Sequence, residues 1–298
     1  MQQTLKESIK RFPFIKICAY LVEDLIKGLK LSVGQIGSES GAAHANYSVE
    51  ESMTYIESAL HSYKTNGNIN KFSGSVAELG PGDSAGVAML MRGEGCTQID
   101  LVDRYYSNRN LEQQSKIYQH IADKYQLNHL KTTDSWDEQK IAGINWKIGQ
   151  AAEDYFHQCA EKNEPVYDFI VSCAVLEHLY DPLSCLQQML ACLKPGGQIL
   201  QIVDLRDHNM FTPIKHELFF LQVPSFIYPL MGRNSGRPNR ILVHRYRDLL
   251  ESMKQEGLID YSILVGSLAG VGKIEPPQKF EDIEPEKQRQ AINFVEEH

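Results

Sequence analysis

The sequence predicts an α/β fold built on a doubly wound, mostly parallel sheet, and three observations predict it. From about Phe72 onward, short apolar runs of strand length alternate with longer amphipathic runs of helix length. The first of those strands, "SVAEL", ends in the glycine turn "GPGDSAG" and passes directly into a helix pattern. Before residue 72 only helical periodicity is present, so that part is expected to stand outside the sheet. A strand–helix–strand rhythm needs crossover connections, and crossovers make neighbouring strands parallel.

The elements follow in order. Phe14, Ile17, Cys18, Leu21, Leu25 and Leu29 recur at three- and four-residue steps, one stripe of an amphipathic N-terminal helix. A second helix opens at "NYSVEES", where Ser48 and Glu51 make a capping box and Met53, Ile56 and Leu60 continue one face. "KTNGN" breaks it. "SVAEL" is the first core strand, and the helix after it starts near Ser84, with Ala85 and Gly86 small enough to pack closely. "QIDLVD" (Gln98–Asp103) is the second strand, "NLEQQSKIYQHIADKY" a helix, "INWKIG" (Ile144–Gly149) the third strand and "YDFIVSC" (Tyr167–Cys173) the fourth. "DPLSCLQQMLACL" is a helix with Asp181 at its N-cap and Pro182 at its first position. "KPGG" is expected to stop it, and "QILQIVD" to be the fifth strand.

Beyond strand five, "NMFTPIKHELFFLQVPSFIYPLMG" is aromatic and broken by prolines, which suits a lid insertion and equally suits ordinary core packing. A helix face on Val243, Tyr246, Leu249, Leu250 and Met253, a strand at "LIDYSILVG" and a terminal helix at "EPEKQRQAINFVEEH" complete the chain. The expected organisation is an N-terminal helical cap (1–71), a core (72–275) with the lid at about 209–240, and a C-terminal helical tail (276–298).

Composition narrows the class. A chain of 298 residues with 42% hydrophobic residues can bury a sizeable core. The net charge of −8 argues against a broad electrostatic footprint on nucleic acid. Six scattered cysteines without a C-x-x-C pair suit reduced thiols in a cytoplasmic protein. The longest apolar run, Leu218 to Gly232, is too short and too proline-broken to span a bilayer, so no membrane partner is expected.

The glycine turn carries the first chemistry. Gly80 and Gly82 permit a tight turn and a close backbone approach, and the helix behind them offers free N–H groups to a ligand. Asp103 closes the second strand, where a carboxylate can accept from both hydroxyls of a ribose. That pattern serves NAD and S-adenosylmethionine alike. Glu78, two residues before the first glycine, separates them: it would repel a pyrophosphate but suits the ammonium of a methionine moiety.

With "ELGPGDS", "LVDRY", "SCAVLEHLYDP" and "LKPGG" in this order between Val76 and Asp207, the chain resembles the class I S-adenosylmethionine-dependent methyltransferases, of the bacterial small-molecule type. The resemblance implies a seven-stranded-type Rossmann-like sheet and S-adenosylmethionine as cofactor. It implies that Glu78, Gly80 and Gly82 frame the methionine end, that Asp103 binds the ribose, and that Gln150 and Ala151 flank the adenine. Cys173 and Ala174, at the fourth-strand exit, would touch the cofactor, Ala174 through its backbone. Two departures stand out: Ser84 replaces the third glycine of the family's turn, and Gln150 replaces an acid near the adenine.

Methyl transfer from a sulfonium is an in-line displacement, so the protein has to align the acceptor and, for a hydroxyl, remove a proton. Candidates lie at the ends of strands four and five. His208, oriented by Asp207 or another acid of "VDLRDH", is the expected general base, with His178 of "LEHL" as a further catalytic candidate. Glu177 is as well suited to bracing a loop. No metal is expected: a divalent ion on Glu177, His178 and His208 is the lesser reading, because metal-dependent relatives with an E-x-x-E-H pattern have a glutamate where this chain has Ala174. Arg237, Asn239, Arg240, His244 and Arg245 form a basic loop that could meet a phosphate or carboxylate on the substrate, or simply be a solvated turn.

The leading expectation is methyl transfer to oxygen or nitrogen of a sugar, a phenol or a secondary metabolite. An NAD-dependent oxidoreductase and a methyltransferase-like protein without catalysis are the alternatives. The expected partner is a small-molecule acceptor and not a nucleic acid, and the N-terminal helices could pair two chains as a homodimer.

Overall fold

The computed structural model describes residues 12–38, 44, 46–162, 164–212 and 214–298. Residues 1–11, 39–43 and 45 of the expected N-terminal cap, and residue 213 of the expected lid, lie outside them. In chain order the elements are α1 (Pro13–Ser32), β1 (Gly37–Ser38), α2 (Val49–Gly67), β2 (Gly74–Leu79), α3 (Gly86–Glu94), β3 (Cys96–Asp103), β4 (Tyr106–Ser107) and α4 (Leu111–Tyr125). There follow β5 (Ile144–Ile148), α5 (Ala152–Glu161), β6 (Tyr167–Cys173), α6 (Pro182–Ala191) and β7 (Leu193–Ile202). The last are α7 (Tyr228–Gly232), α8 (Val243–Gln255), β8 (Val265–Leu268), β9 (Gly272–Gln278) and α9 (Pro285–Glu297).

By internal contacts the chain divides into two units, Gln35–Leu176 with Ser184–Val203, and Met1–Gly34 with Glu177–Leu183 and Asp204–His298. The first holds the sheet. Its five strands run in the order β5-β3-β2-β6-β7, all parallel. The doubly wound class expected from the sequence is therefore the observed one, with five strands on the sheet among the described residues. β8 and β9 pair antiparallel with each other instead of extending it, and "LIDYSIL" before β8 is not a strand. "KPGG" does not end α6; it sits as an irregularity within β7, between the pairs Tyr167–Leu193 and Phe169–Gln198.

Burial on both faces explains why β2 reads as a nearly continuous apolar run. Val76 joins Ile99, Leu101 and Ile144 in a core closed by Met53, Ile56 and Leu60 of α2, Met89 and Met91 of α3, and Ile117 and Ile121 of α4. The expected capping box is present, with Ser48 Oγ accepting from Glu51 N–H and Glu51 accepting from Ser48 N–H. Since α2 packs into the sheet's core, the unit boundary does not fall at residue 72. The N-terminal stretch divides instead, with α1 in one unit and α2 in the other.

Asp100 is the polar element of this unit's interior. It is buried and accepts from Tyr155 Oη (3.0 Å), Tyr167 Oη (2.7 Å) and Asn145 Nδ2 (2.9 Å). Removing one partner of such a network strands the others without water. Asp100→Ala is expected to destabilise the chain by about 3 kcal/mol, and Asp100→Asn by less. Paired urea melts of the two variants check this, and equal midpoints would contradict it.

The second unit has its own small core: Met210, Phe211, Phe220, Val223, Tyr228 and Met231, with Ile17, Tyr20 and Leu21 of α1 packed against it. Asp24 on α1 is buried and accepts from Asn234 N–H (2.9 Å), Ser235 N–H (2.8 Å) and Ser235 Oγ (2.7 Å), which holds its carboxyl below the usual range despite burial. No helix among the described residues is long and apolar enough to cross a membrane.

Candidate active site

In the sheet unit, the strand order reverses direction between β2 and β6, and ligands of such sheets sit beyond the carboxyl ends at that point. β2 ends there in Glu78 and the glycine turn; β6 ends in Cys173 and Ala174. Gly80 and Gly82 take φ of +60° and +70°, and a Cβ on Gly80 would stand 2.5 Å from Val175 Cγ2. Gly80 N–H donates to Val102 O (2.9 Å), which ties the turn to β3. Ala174 also has a positive φ, +56°, and its N–H donates to Ile202 O (2.8 Å). A non-glycine residue in that region is strained, and the strain turns the chain sharply at the strand exit. Since its N–H is used inside the sheet, only the carbonyl of Ala174 is left for the contact expected of its backbone.

Glu78 is 4% exposed, and its Oε2 is buried without a hydrogen-bond partner. Burial pushes its carboxyl up to about 8. It lies in register with Leu101, on the face that carries α2, where it adds to the raised values of Tyr55 and Tyr63, both governed first by burial. Asp103 ends β3 with Oδ1 accepting from Tyr105 N–H (2.9 Å). Burial raises its carboxyl, against the opposing pull of that bond and of Arg109. Gly149 N–H donates to Asp103 O (3.0 Å), so the third-strand exit is fixed beside it. Gln150 donates its Nε2 to Gln158 Oε1 (3.0 Å), and Ala151 caps α5 in extended conformation.

A brace behind the glycine turn is not foreseen from the sequence. Arg109 is almost wholly buried against the rings of Tyr106 and Trp146. It donates to Glu138 Oε2 (3.1 Å) and to Gly82 O (3.2 Å). Tyr118 Oη accepts from Ala85 N–H (3.0 Å). The turn is thus held from behind by an arginine and a tyrosine on different elements. The one sequence signal was an arginine, Arg109, just ahead of α4, and nothing local said that it would be buried.

In the other unit, Glu177, His178, Asp204 and His208 converge; they follow directly on the ends of β6 and β7 along the chain. His208 Nε2 lies 3.6 Å from Glu177 Oε1, 3.6 Å from Asp204 Oδ2 and 3.3 Å from Asp204 O. The rings of His178 and His208 meet edge to face at 4.9 Å. Glu177 is 1% exposed; its Oε1 accepts from Asp204 N–H (3.1 Å) and its Oε2 has no partner. Burial pushes its carboxyl up to about 7. Burial, then the neighbouring His208, lowers His178. Asp204 is held low, chiefly by Arg206, which donates from Nε (2.8 Å) and Nη2 (2.7 Å). Glu177, His178 and His208 present three ligand-type atoms within 4.8 Å of one another.

Asp207 does not orient His208. Its buried carboxylate accepts from the N–H groups of Asn209 (2.9 Å), Phe211 (2.8 Å) and Thr212 (2.9 Å), and from Thr212 Oγ1. It pins the loop in which His208 and Asn209 take φ of +49° and +61°. The acids that face His208 are Glu177 and Asp204, because the carboxylate two positions before Asn209 is captured by the backbone that follows it.

Much of the basic loop is structural. Arg237 pairs with Glu23 and lies over the Tyr20 ring, and Arg240 donates to the carbonyls of Phe220 (2.6 Å) and Val223 while stacking on Tyr228. Asn239 donates to Leu179 O (3.0 Å). His244 and Arg245 are exposed on α8.

A family model described as a methyltransferase domain matches residues 54–252, well over half of the chain. No curated protein matches at a significant level. Among solved structures the chain is similar to a putative S-adenosyl-L-methionine-dependent methyltransferase from Methanococcus maripaludis, with 14% identity, a TM-score of 0.39, and coverage of 76% of this chain and 89% of that one. It is also similar to a putative sarcosine dimethylglycine methyltransferase from Galdieria sulphuraria, with 18% identity, a TM-score of 0.32, and coverage of 83% and 81%.

Proposed function

Since this chain belongs to the methyltransferase-domain family, we propose that it transfers a methyl group from S-adenosylmethionine to an oxygen or nitrogen of a small molecule such as a sugar, a phenol or a secondary metabolite. The observation that carries the cofactor reading is Glu78: a buried carboxylate with one oxygen lacking a partner, at the mouth of a positive-φ glycine turn. Such a group asks for a cation, and the ammonium of the methionine moiety supplies it. A dinucleotide would bring a pyrophosphate to the same place, where the carboxylate would oppose it. Asp103 would take the ribose hydroxyls, and the stretch from Gln150 would border the adenine.

In the reaction the acceptor's lone pair attacks the methyl carbon, and the carbon–sulfur bonding pair returns to sulfur, leaving S-adenosylhomocysteine. The acceptor's proton is removed at the group formed by Glu177, His178, Asp204 and His208, the titratable cluster that follows β6 and β7. A proton-removing group at this position contributes roughly a hundredfold to ten-thousandfold.

The test is transfer of a labelled methyl group from S-adenosylmethionine to pools of hydroxylated and amine-bearing small molecules. Label in a pool component identifies the acceptor; release of S-adenosylhomocysteine from no pool would overturn the enzymatic reading. With an acceptor in hand, His208→Ala is expected to lower kcat by at least a hundredfold while leaving the affinity for S-adenosylhomocysteine unchanged. A loss confined to cofactor affinity would place His208 elsewhere in the scheme.

A further inference from the structure

We propose that Glu177, His178 and His208 form a binding site for one divalent transition-metal ion. Two of these residues are adjacent in the chain and the third lies thirty positions on, yet their ligand-type atoms come within 4.8 Å of one another. An ion with bonds of about 2.1 Å holds its ligand atoms roughly 3.0–3.4 Å apart, so modest side-chain rotation closes the set.

Three features favour a cation over a plain polar cluster. Glu177 Oε2 is buried without a hydrogen-bond partner, in a residue 1% exposed. A buried carboxylate oxygen without a partner is costly, and the hydrogen bond from Asp204 N–H reaches only its other oxygen. His178 Nδ1 lies 2.7 Å from Gly236 O. A carbonyl can only accept, so Nδ1 bears the hydrogen and the lone pair is on Nε2, the outer-shell arrangement that orients a metal-bound imidazole. His208 Nε2, finally, lies 3.6 Å from carboxylate oxygens of Glu177 and Asp204 and 3.3 Å from the Asp204 carbonyl, to which it donates. An ion would take this nitrogen in its other tautomer, in place of that contact. The backbone that holds His208 there is in the left-handed region, with the Asp207 carboxylate clamping the loop behind it.

Two imidazoles and one carboxylate select borderline ions such as Zn²⁺, Co²⁺ or Ni²⁺ over Mg²⁺ and Ca²⁺, which ask for oxygen. Three protein ligands leave positions open, as in catalytic rather than structural sites. With His178 and His208 as ligands, Asp204 is the member of the cluster left to take the acceptor's proton; that role rests on the function proposed above, and metal binding itself does not.

The experiment uses the full chain after chelator treatment, titrated calorimetrically with Zn²⁺ and with Co²⁺, the latter also by its visible absorption. S-adenosylhomocysteine affinity is measured separately on the same samples, so that failure of the cofactor reading leaves the metal result standing. One ion per chain is expected, with no comparable binding of Mg²⁺, and with affinity lowered at least a hundredfold in Glu177→Gln and in His208→Ala. Circular dichroism checks both variants. If neither folds, the wild-type Co²⁺ spectrum decides, because nitrogen and oxygen ligands lack the intense charge-transfer band of a thiolate. Absence of binding, equal affinity in wild type and folded variants, or a thiolate spectrum from exposed Cys18 or Cys173 would each overturn the proposal.

Discussion

Asp103→Ala is expected to abolish most of the thermal stabilisation that S-adenosylhomocysteine gives the wild-type chain. A ligand at a hundred times its dissociation constant stabilises by about 2.7 kcal/mol, which for a chain of this length is a shift of several degrees. Asp103 closes β3 with one carboxylate oxygen on Tyr105 N–H, and Gly149 is tied to its carbonyl. Two charge-assisted bonds to a ribose are each worth about 1.5 kcal/mol or more, so the variant should bind at least a hundredfold more weakly. NAD measured in parallel supplies the contrast. A shift with NAD alone, or a full shift with S-adenosylhomocysteine in the variant, would refute the assignment of the pocket.

Glu78 should make cofactor binding depend on pH, with a sign that can be worked out. Without ligand, burial holds its carboxyl up to about 8. A bound ammonium favours the ionised form, so below that value binding releases a proton, and affinity rises up to tenfold per pH unit as pH climbs from 6 toward about 8. Once the pH passes the pKa of the ligand's own ammonium, the charge that Glu78 would meet is lost and the gain reverses. Calorimetry at pH 6.5 in buffers of different ionisation enthalpy should show a proton released with wild type and none from this group in Glu78→Gln.

The same carboxyl acts on stability in the ligand-free chain. Its folded value lies above the ordinary 4.5, so across that window the folded chain keeps a proton that the unfolded chain has lost. Its contribution is fully present below 4.5 and falls by up to about 1.4 kcal/mol per pH unit as pH rises through the folded value. Glu78→Gln should therefore be the more stable protein at pH 8 without ligand. A wild type more stable at pH 8 than its Gln variant would show that Glu78 is not the buried acid described.

How much could be read beforehand differs from element to element. The capping box at Ser48 and Glu51, the strand at Tyr167–Cys173 and the helix starting at Pro182 fall where the sequence places them. Each depends on neighbours within a few residues. Where the reading departs from the structure, distant residues decide. "KPGG" lies within β7 because neighbouring β6 pairs on either side of it. Asp207 serves the loop after it and not His208. α1 joins the aromatic cluster around Phe211 and Phe220 rather than the sheet's core. An apolar stripe says that a helix face is covered, not by what.

The sequence by itself determined the class of the fold, the succession of its core strands along the chain, the glycine turn and the two carboxylates around it. Those features follow from backbone sterics and side-chain periodicity, which are local. Only the tertiary structure decided that Arg109 and Tyr118 brace the turn, that Glu78 is buried with an unsatisfied oxygen, and that Glu177, His178 and His208 meet. Partners far apart in the chain, and the loss of water that gives their charges strength, exist only once the elements have packed.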